Sequence, residues 1–315
     1  MRILIGLFVA GLMTWGRDAY AQTETKAHVA VGQIVEHQAL DTLRTSLKEG
    51  LKQEGFVEGT NLTWTYENAQ GNPTTAVQIS HKLTSLQPSV IVTLSTPMTQ
   101  AVASATTTIP IVFGAVTDPA TAKLTGHSNI TGLTDFVPPE KQVSLIKAIL
   151  PQVKAIGVIF NSGEANSQKQ VKEIKTLCDQ EGIKVVEATV SKTSEVASVV
   201  KTLIGRVDAI LLPTDNTVIS ALESIVKISV DHKTPVFGSD VDIVRRGALA
   251  AYGVDWHESG LILAKMVGGL LKGQPIDAIP IQNPDKLVLY INLDTAKKME
   301  ISIPEELQKK ADKVL

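Results

Sequence analysis

The chain has 315 residues, of which 30 are basic and 32 acidic, giving a formal net charge of −2 at pH 7. Nucleic-acid-binding proteins gather a basic surplus on one face, so this charge balance argues against that class. The single cysteine, Cys178, excludes an internal disulfide. We expect Cys178 to be a small core residue, and the chain is long enough to build two apolar cores.

The first residues predict a cleaved export signal. Arg2 precedes the apolar run ILIGLFVAGLMTW, and the small residues that end this segment favour cleavage after Ala21. A membrane span is the competing interpretation, but the run is too short to cross a bilayer. No cysteine follows the predicted cut to carry a lipid anchor. The sequence therefore predicts a signal peptide at 1–21 and a soluble periplasmic protein.

The rest of the chain alternates strand-like and helix-like runs. AHVAVGQI leads into DTLRTSLKEGLKQEGF, SVIVTLS into MTQAVASATT, and later KAIGVIFN into SQKQVKEIKTLCDQEG. Such alternation is typical of parallel sheets that are covered by helices on both faces. The two halves share this rhythm without a residue-level repeat. We therefore predict an α/β fold with two doubly wound parallel-sheet lobes.

Breaks in the alternation predict where the chain passes between the lobes. The run VPP interrupts regular structure just before a new helix. A second crossing is expected near AAYGVDWHES, where Asp255 or Glu258 opens a helix that ends at Gly273. If the strand in KLVLYINLDTAKKM returns to the second lobe, three strands join the lobes as a hinge. The predicted N-terminal lobe is 27–135 plus about 257–284, and the C-terminal lobe is 136–256 plus about 285–315.

Polar side chains directly follow most of the predicted strands. IPIVFGAV ends at Thr117 and Asp118, and PSVIVTL ends at Ser95 and Thr96. In open parallel sheets a ligand binds beyond the carboxyl ends of the strands, where helix N-termini offer N–H donors. Helix caps and turns explain any single ending of this kind, but five of them in two lobes favour a ligand site. The candidate ligand-binding residues are Glu36, His37, Ser95, Thr96, Thr117, Asp118, Asn161, Ser162, Asn166, Thr214, Asp215, Asn216, Ser239 and Asp240.

Sequence motifs of common enzyme chemistry are absent. The chain has no G-x-x-x-x-G-K-[ST] loop, no G-x-G-x-x-G after a strand and no G-x-S-x-G elbow. This argues against phosphate transfer, dinucleotide use and ordinary hydrolase chemistry. The six histidines show no metal-ligand spacing. We therefore expect no catalytic residue, no metal and no cofactor.

Several segments together carry a family resemblance. The chain resembles the substrate-binding proteins of ABC importers, of the tryptophan/tyrosine type, in GQIVEHQALDTLRTSLKEGLKQEGFVEGTNLTWTYENAQGN, IPIVFGAVTDPATAKL, NITGLTDFVP, VDAILLPTDNTV, TPVFGSD and LYINLDTAKKM. This resemblance spans nearly the whole chain after the predicted cut. It implies a type I periplasmic-binding fold with a three-strand hinge and no catalysed reaction. It also implies that a monomer captures an aromatic amino acid such as tryptophan, tyrosine or phenylalanine for a membrane permease.

An amino-acid ligand would need a partner for each of its charges. Hydroxyl and N–H donors near Ser95, Thr96 and Thr117 suit the α-carboxylate, and Asp240 or Asp118 suits the ammonium. Two other functions stay open. One is a ligand sensor that presents its ligand to a receptor. The other is a racemase or lyase that works between the lobes, although a cofactor-independent racemase uses two facing cysteines and this chain has one.

The pocket for the ligand's side chain is the part that the sequence determines least. Glu36 and His37 are expected at its entrance or in its wall. Trp256, beside a predicted crossing, suits either the core or a ligand contact. Glu164 could close over the ligand together with Asn161 and Asn166, although a solvated loop residue is the favoured interpretation. Phe113, Phe160 and Phe237 lie within apolar runs and are expected in the cores.

Overall fold

A computed structural model describes residues 26–315, so the predicted signal peptide and its cleavage site lie outside the described residues. The strands are Ala27–Gln33 (β1), Leu62–Asn68 (β2), Val90–Leu94 (β3), Ile111–Val116 (β4), Ile130–Thr134 (β5), Ala155–Asn161 (β6), Lys184–Val190 (β7), Ala209–Leu212 (β8), Val236–Gly238 (β9), Ala250–Val254 (β10), Leu287–Ile291 (β11) and Lys313–Val314 (β12). The α-helices are Gln38–Gln53 (α1), Pro73–Ser85 (α2), Thr96–Ala105 (α3), Pro139–Ile149 (α4), Ala165–Gln180 (α5), Val196–Leu203 (α6), Asn216–Ile219 (α7), Leu222–Asp231 (α8), Asp242–Arg245 (α9), Trp256–Leu271 (α10), Leu293–Met299 (α11) and Glu305–Lys310 (α12).

The strands form two separate sheets, as predicted. The first has the order β2-β1-β3-β4-β5 and is parallel throughout. The second has the order β12-β11-β10-β9-β8-β6-β7, and here β10 and β11 run antiparallel. This departure from a fully parallel sheet has a simple cause. The chain leaves the second sheet at the end of β10 and returns across the same edge, so Leu287 at the start of β11 pairs with Val254.

Alternating side chains of the central strands supply the cores. Ile156, Val158 and Phe160 of β6 belong to one buried cluster of the second sheet, and Ile159 belongs to the cluster on its other face. The strands β3 and β4 are buried along their full length, as expected for strands that helices cover on both sides. Cys178 is buried, in agreement with its predicted place in the core.

Helix α10 covers the first sheet although it comes late in the chain. It packs against α1, and the Ser46 hydroxyl lies 2.8 Å from Nδ1 of His257. The contact is close because Gly260 has no side chain: a Cβ there would lie 2.8 Å from the carbonyl oxygen of Leu43. Asp255 opens the helix as predicted, and its carboxylate accepts hydrogen bonds from the next N–H groups.

The chain passes between the two sheets three times. Residues 135–138 join β5 to α4, Asp255 joins β10 to α10, and 283–286 lead into β11. The last crossing is tied to the first sheet, because the N–H of Thr134 donates to the carbonyl oxygen of Gln282 at 2.9 Å. The first core combines residues of β1 to β5 with residues of α10, so we propose the lobe boundaries predicted above. Among residues 26–315, no helix combines the length and apolarity that a bilayer crossing requires.

Candidate ligand-binding site

The carboxyl ends of the two sheets meet around an enclosed cavity. About 30 Å³ of it is accessible to a water-sized molecule in this structure, so the lining side chains pack closely around the space. Leu40 and Ile219 add apolar surface to a wall that is otherwise rich in polar side chains, so the cavity suits a small molecule with polar and apolar parts. The lining residues are His37, Leu40, Ala115, Asp135, Asn166, Thr214, Asp215, Asn216, Ile219, Ser239, Asp240 and Trp256.

The structure brings half of the predicted site residues into this lining. These are His37, Asn166, Thr214, Asp215, Asn216, Ser239 and Asp240. Three others, Ser95, Thr96 and Thr117, are not part of the lining but are buried at the carboxyl ends of β3 and β4. Glu36, Asp118, Asn161 and Ser162 lie outside the cavity lining. A ligand contact by any of these residues stays a prediction.

Asp118 has a local role at the end of β4. Its carboxylate accepts hydrogen bonds from the N–H groups of Ala120 and Thr121 at 2.9 and 3.0 Å, which closes the turn. The same carboxylate lies 3.7 Å from Nζ of Lys169, which belongs to α5 of the second lobe. Asp118 therefore contacts the opposite lobe at the surface, away from the cavity.

The other three predicted residues outside the cavity lining are Glu36, Asn161 and Ser162. Glu36 accepts a hydrogen bond from the hydroxyl of Tyr66 at 3.3 Å. Asn161 and Ser162 line a wider groove between the lobes, which shares Asn216 with the cavity. These positions surround the site without entering its wall.

The ends of β3 and β4 are strained next to the cavity. Ser95 and Ala115 have φ angles of 90° and 58°, in a region that residues with a side chain rarely adopt. The register of β4 against β5 shifts at the same point, between Gly114 and Val116. Such backbone costs about 1–3 kcal/mol per residue and is concentrated at functional sites. The two strained residues are neighbours, since the N–H of Ser95 donates to the carbonyl oxygen of Gly114.

Two buried carboxylates, Asp135 and Asp240, define one end of the cavity. Asp135 follows β5 and is only 3% exposed. Burial raises the pKa of Asp135 to about 6, the nearby Thr117 hydroxyl lowers it, and the negative charge of Asp240 raises it again. Within residues 26–315, Oδ1 of Asp135 is buried and has no hydrogen-bond partner. This end of the cavity is therefore suited to a cation with N–H donors.

Trp256 holds Asp240 in place. Its indole N–H donates to Oδ1 of Asp240 at 2.9 Å, and the N–H of Asp242 donates to the same oxygen at 2.9 Å. Burial raises the pKa of Asp240, and these two donors lower it. The second oxygen of Asp240 accepts no hydrogen bond from the described part of the chain. Trp256 belongs both to the first core and to the cavity wall.

Glu164 organises the wall of the second lobe. It is 6% exposed, so its expected place in a solvated loop is wrong. Its Oε2 accepts hydrogen bonds from the side-chain amide of Asn166 and from both the N–H and the side-chain amide of Asn216, at 3.0, 3.0 and 2.6 Å. Its Oε1 accepts from the N–H and hydroxyl of Thr217, at 3.0 and 2.8 Å. Five donors thus stabilise one buried negative charge.

Asp215 joins the ends of two strands in the same wall. Its carboxylate accepts hydrogen bonds from the N–H of Asn161, after β6, at 2.6 Å and from the N–H of Val218, in α7, at 2.9 Å. Burial raises the pKa of Asp215, and the negative charge of Glu164 raises it further. The side chain therefore fixes α7 relative to β6 rather than standing free in the cavity.

His37 reaches the cavity from the first lobe. Burial lowers the pKa of His37 to about 4, and the nearby side chain of Asn216 partly opposes this effect. The imidazole is therefore neutral near pH 7. Its Nδ1 is buried without a partner among the described residues. His37 and Asn216 both line the cavity, one from each side of the cleft.

The sequence predictions missed part of the wall, including Asp135. Asp135 ends the run NITGLTD in the same way that Asp118 ends the preceding strand, so the strand-end pattern already contained the signal for it. Leu40 and Ile219 lie in the first turns of α1 and α7. They were missed because an apolar residue near a helix start gives no sign of which surface it faces.

Two α/β lobes with a cavity at their facing strand ends define a protein that encloses a small ligand. Among residues 26–315, no group of three or more His, Cys, Asp or Glu side chains is arranged to hold a metal ion. The profile of the family described as ABC transporter substrate binding protein matches residues 28–315. The chain belongs to this family. The predicted family and the type I periplasmic-binding fold are confirmed.

Three relatives are similar to this chain over most of its length. A tyrosine-binding protein of Clostridioides difficile (strain R20291) is 32% identical over 284 residues, which cover 89% of this chain and 82% of that protein. An ABC domain from Streptococcus pneumonia, solved in complex with L-Trp, has a TM-score of 0.88 and 34% identity and covers 92% of this chain and 100% of its own. The ligand-free, open structure of a substrate-binding protein with adhesive properties from Clostridium difficile has a TM-score of 0.68 and 33% identity, over 91% and 99%.

The two structural relatives differ in how well they superimpose. Their identities to this chain are nearly equal, at 34% and 33%, yet the TM-score is 0.88 for the L-Trp complex and 0.68 for the open, ligand-free structure. The overall arrangement described here therefore superimposes better on the L-Trp complex than on the open, ligand-free structure. This agrees with the cavity between the facing strand ends and with the ion pair between Asp118 and Lys169 across the cleft.

Proposed function

We propose that this protein captures a free aromatic amino acid between its two lobes and delivers it to the permease of an ABC importer. The observation that carries this proposal is a set of buried polar atoms at the strand ends that have no partner within residues 26–315. These atoms are His37 Nδ1, Ser95 Oγ, Thr96 Oγ1, Thr117 Oγ1, Asp135 Oδ1 and Asn166 Oδ1. Each unpaired buried polar atom costs about 1–3 kcal/mol, and a ligand that pairs with it removes this cost.

The chemistry of these atoms fits the two charges of an amino acid. The hydroxyls of Ser95, Thr96 and Thr117 are donors at the ends of β3 and β4, and we assign the α-carboxylate to them. Asp135, which follows β5 beside β4, and Asp240, which follows β9 of the second sheet, are buried carboxylates, and we assign the ammonium to them. The ammonium would also relieve the repulsion between these two negative charges.

The family supports the importer role. Family membership, together with the tyrosine-binding and L-Trp-bound relatives, favours transport over sensing or catalysis. With the export signal predicted at 1–21, we propose a monomer that works in the periplasm and has no catalytic activity. Closure of the lobes around the ligand would create the surface that the permease recognises.

Purified protein is expected to bind an aromatic amino acid with a stoichiometry of one per chain. Calorimetry against tyrosine, tryptophan and phenylalanine tests this, with alanine and a hexose as controls for other ligand classes. Native mass spectrometry of freshly purified protein would detect a ligand that stays bound. Tight binding of the hexose with no heat from any aromatic amino acid would refute the ligand but not the transport role.

Saturating aromatic amino acid is expected to reduce the radius of gyration of the ligand-free protein in solution scattering. The physical reason is that a ligand touching both lobes binds the closed form better and shifts the population towards it. The measurement is made on the same sample before and after addition of ligand, with alanine as the control. An unchanged scattering curve, at a concentration where calorimetry shows full binding, would contradict closure by the ligand.

A further inference from the structure

Trp256 and Asp240 meet in the cavity wall although they belong to different lobes. Asp240 follows β9 of the second sheet, and Trp256 is the first residue of α10, which covers the first sheet. The indole N–H of Trp256 donates to Oδ1 of Asp240 at 2.9 Å. The two residues are only 7% and 9% exposed, so little water competes for this contact. The hydrogen bond therefore joins the two lobes inside the site.

Trp256 is fixed to the first lobe by packing. Its ring belongs to the first apolar core, together with Leu263 and Ala264 of the same helix. Helix α10 packs closely on α1, where Gly260 leaves no room for a side chain. The indole therefore moves with the first lobe.

Asp240 is fixed to the second lobe by its backbone. The loop that follows β9 lies directly against β10 at Gly253, which has no side chain. A Cβ on Gly253 would lie 2.9 Å from the backbone nitrogen of Val241 and 3.0 Å from the carbonyl oxygen of Ser239. Within this loop, the N–H of Asp242 donates to Oδ1 of Asp240 at 2.9 Å. The carboxylate therefore moves with the second lobe.

Rotation of the lobes changes the distance between these two side chains. Asp255 forms the crossing between β10 and α10, so Trp256 lies on one side of this crossing and Asp240 on the other. An N–H donor and its oxygen must stay within about 3.2 Å and nearly in line, so a rotation that carries the indole away from the loop breaks the bond. The 2.9 Å contact therefore requires the relative orientation of the lobes that is described here.

The same contact determines which oxygen of Asp240 is left for a ligand. The indole N–H and the N–H of Asp242 both donate to Oδ1. No donor from residues 26–315 is hydrogen-bonded to Oδ2. Two donors on one oxygen fix the plane of the carboxylate, so the free oxygen keeps one orientation in the cavity wall. An ammonium group can then pair with Oδ2 without displacing either donor.

We propose that Trp256 is a positioning residue that presents the free oxygen of Asp240 to the ligand ammonium, and that this contact couples binding in the second lobe to closure onto the first. Trp256 acts through Asp240 and needs no contact of its own with the ligand. The inference rests on the proposed function, because the ammonium belongs to the same amino-acid ligand. Every amino acid carries this group, so Trp256 is expected to strengthen binding of each aromatic amino acid to the same extent.

The test is a double-mutant cycle measured by calorimetry with tyrosine, tryptophan and phenylalanine. Trp256→Phe keeps an aromatic ring in the core and removes the N–H, and it is expected to weaken binding by roughly tenfold or more. In an Asp240→Asn background the same change is expected to weaken binding by less than about threefold, because orienting residue 240 has no effect once its charge is gone. Trp64→Phe, on β2 and outside the cavity lining, is the matched control and keeps the wild-type affinity.

Indole fluorescence gives a second measurement that leaves residue 256 unchanged. A chain that starts at Gln22, the predicted mature start, contains Trp64 and Trp256 as its two tryptophans. In Trp64→Phe all indole emission then comes from Trp256. Saturating tyrosine or phenylalanine, with excitation selective for indole, is expected to shift this emission because closure forms the hydrogen bond to Asp240. Adding Asp240→Ala removes the acceptor and is expected to abolish most of the shift.

The outcomes separate this inference from the proposed function. Unchanged affinity in folded Trp256→Phe, or an equal loss in the wild-type and Asp240→Asn backgrounds, would show that the indole does not act through Asp240. Either result, or an emission shift that persists in full in Asp240→Ala, would overturn the inference alone. A wild-type protein that binds none of the three amino acids overturns both proposals.

Discussion

Replacing Asp135 by asparagine is expected to weaken binding of the aromatic amino acid at least about thirtyfold and to make the ligand-free protein more stable at pH 7.5. The loss of affinity follows from the ligand ammonium, which would lose a charged partner in an enclosed site at a cost of roughly 2–5 kcal/mol. The gain in stability follows from the buried charge itself. In the arrangement described here without a bound ligand, the charge of Asp135 is destabilising, because burial and Asp240 raise its pKa.

The sign of the pH dependence follows from the raised pKa of Asp135. This pKa is raised from 3.8 to about 6, so the folded state binds a proton more tightly than the unfolded state does. Stability is highest below the unfolded pKa and is lost as the pH rises through the folded pKa, by roughly 3 kcal/mol at most. Asparagine carries no charge, so its advantage over Asp135 is greatest above pH 6 and shrinks as the pH falls towards 4.

Calorimetry measures the loss of affinity in Asp135→Asn. Thermal unfolding between pH 4 and pH 8 measures its gain in stability. The pKa of His37, which burial lowers to about 4, makes folding less favourable as the pH falls from 6.5 towards 4. That contribution is present in both proteins and cancels in the difference between them. Asp231→Asn, on an exposed residue at the end of α8, is the matched control with no expected effect. Unchanged affinity in Asp135→Asn would exclude this carboxylate as the ammonium partner.

Asp240→Asn is expected to lower the affinity by at least about thirtyfold without lowering the melting temperature, because burial raises the pKa of Asp240 and its charge is costly when no ligand is bound. Asparagine keeps an oxygen for the hydrogen bonds from Trp256 and Asp242, and it removes the charge that pairs with the ligand ammonium. Calorimetry measures the affinity, and Asp277→Asn, on an exposed residue, is its control. If the variant binds as tightly as the wild type and melts at the same temperature, Asp240 is not the partner. Asp135 then stands alone, since Asp118 lies outside the cavity lining.

The lobes and part of the site could be predicted from the sequence because their signals are local. The alternation of strands and helices, and polar residues directly after strands, placed Asn166, Asn216 and Asp240 near the ligand cavity. The same local pattern also selected Asp118 and Asn161. Strand-end geometry decides only that a residue lies at the correct edge of the sheet. It does not decide whether the side chain turns inwards or closes its own turn, as Asp118 does.

The role of Glu164 shows what the sequence could not provide. Its hydrogen-bond donors include Asn216 and Thr217, which follow β8 and lie more than fifty positions further along the chain. A carboxylate followed by polar residues looks like a solvated loop when these donors are not known. The position of His37 relative to Asn216 depends in the same way on how the two lobes face each other. Contacts between distant segments of the chain therefore define the details of the pocket.

The packing of α10 on α1 constrains when the first lobe can be completed. Ser46 and His257, which meet in this contact, are 211 residues apart in sequence. During synthesis the apolar face of α1 stays uncovered until residue 271, the end of α10, has left the ribosome. Contacts between such distant residues also form slowly, because a long loop must close first. The first lobe therefore stays unfinished until most of the chain has been made, which suits the export that we propose for this protein.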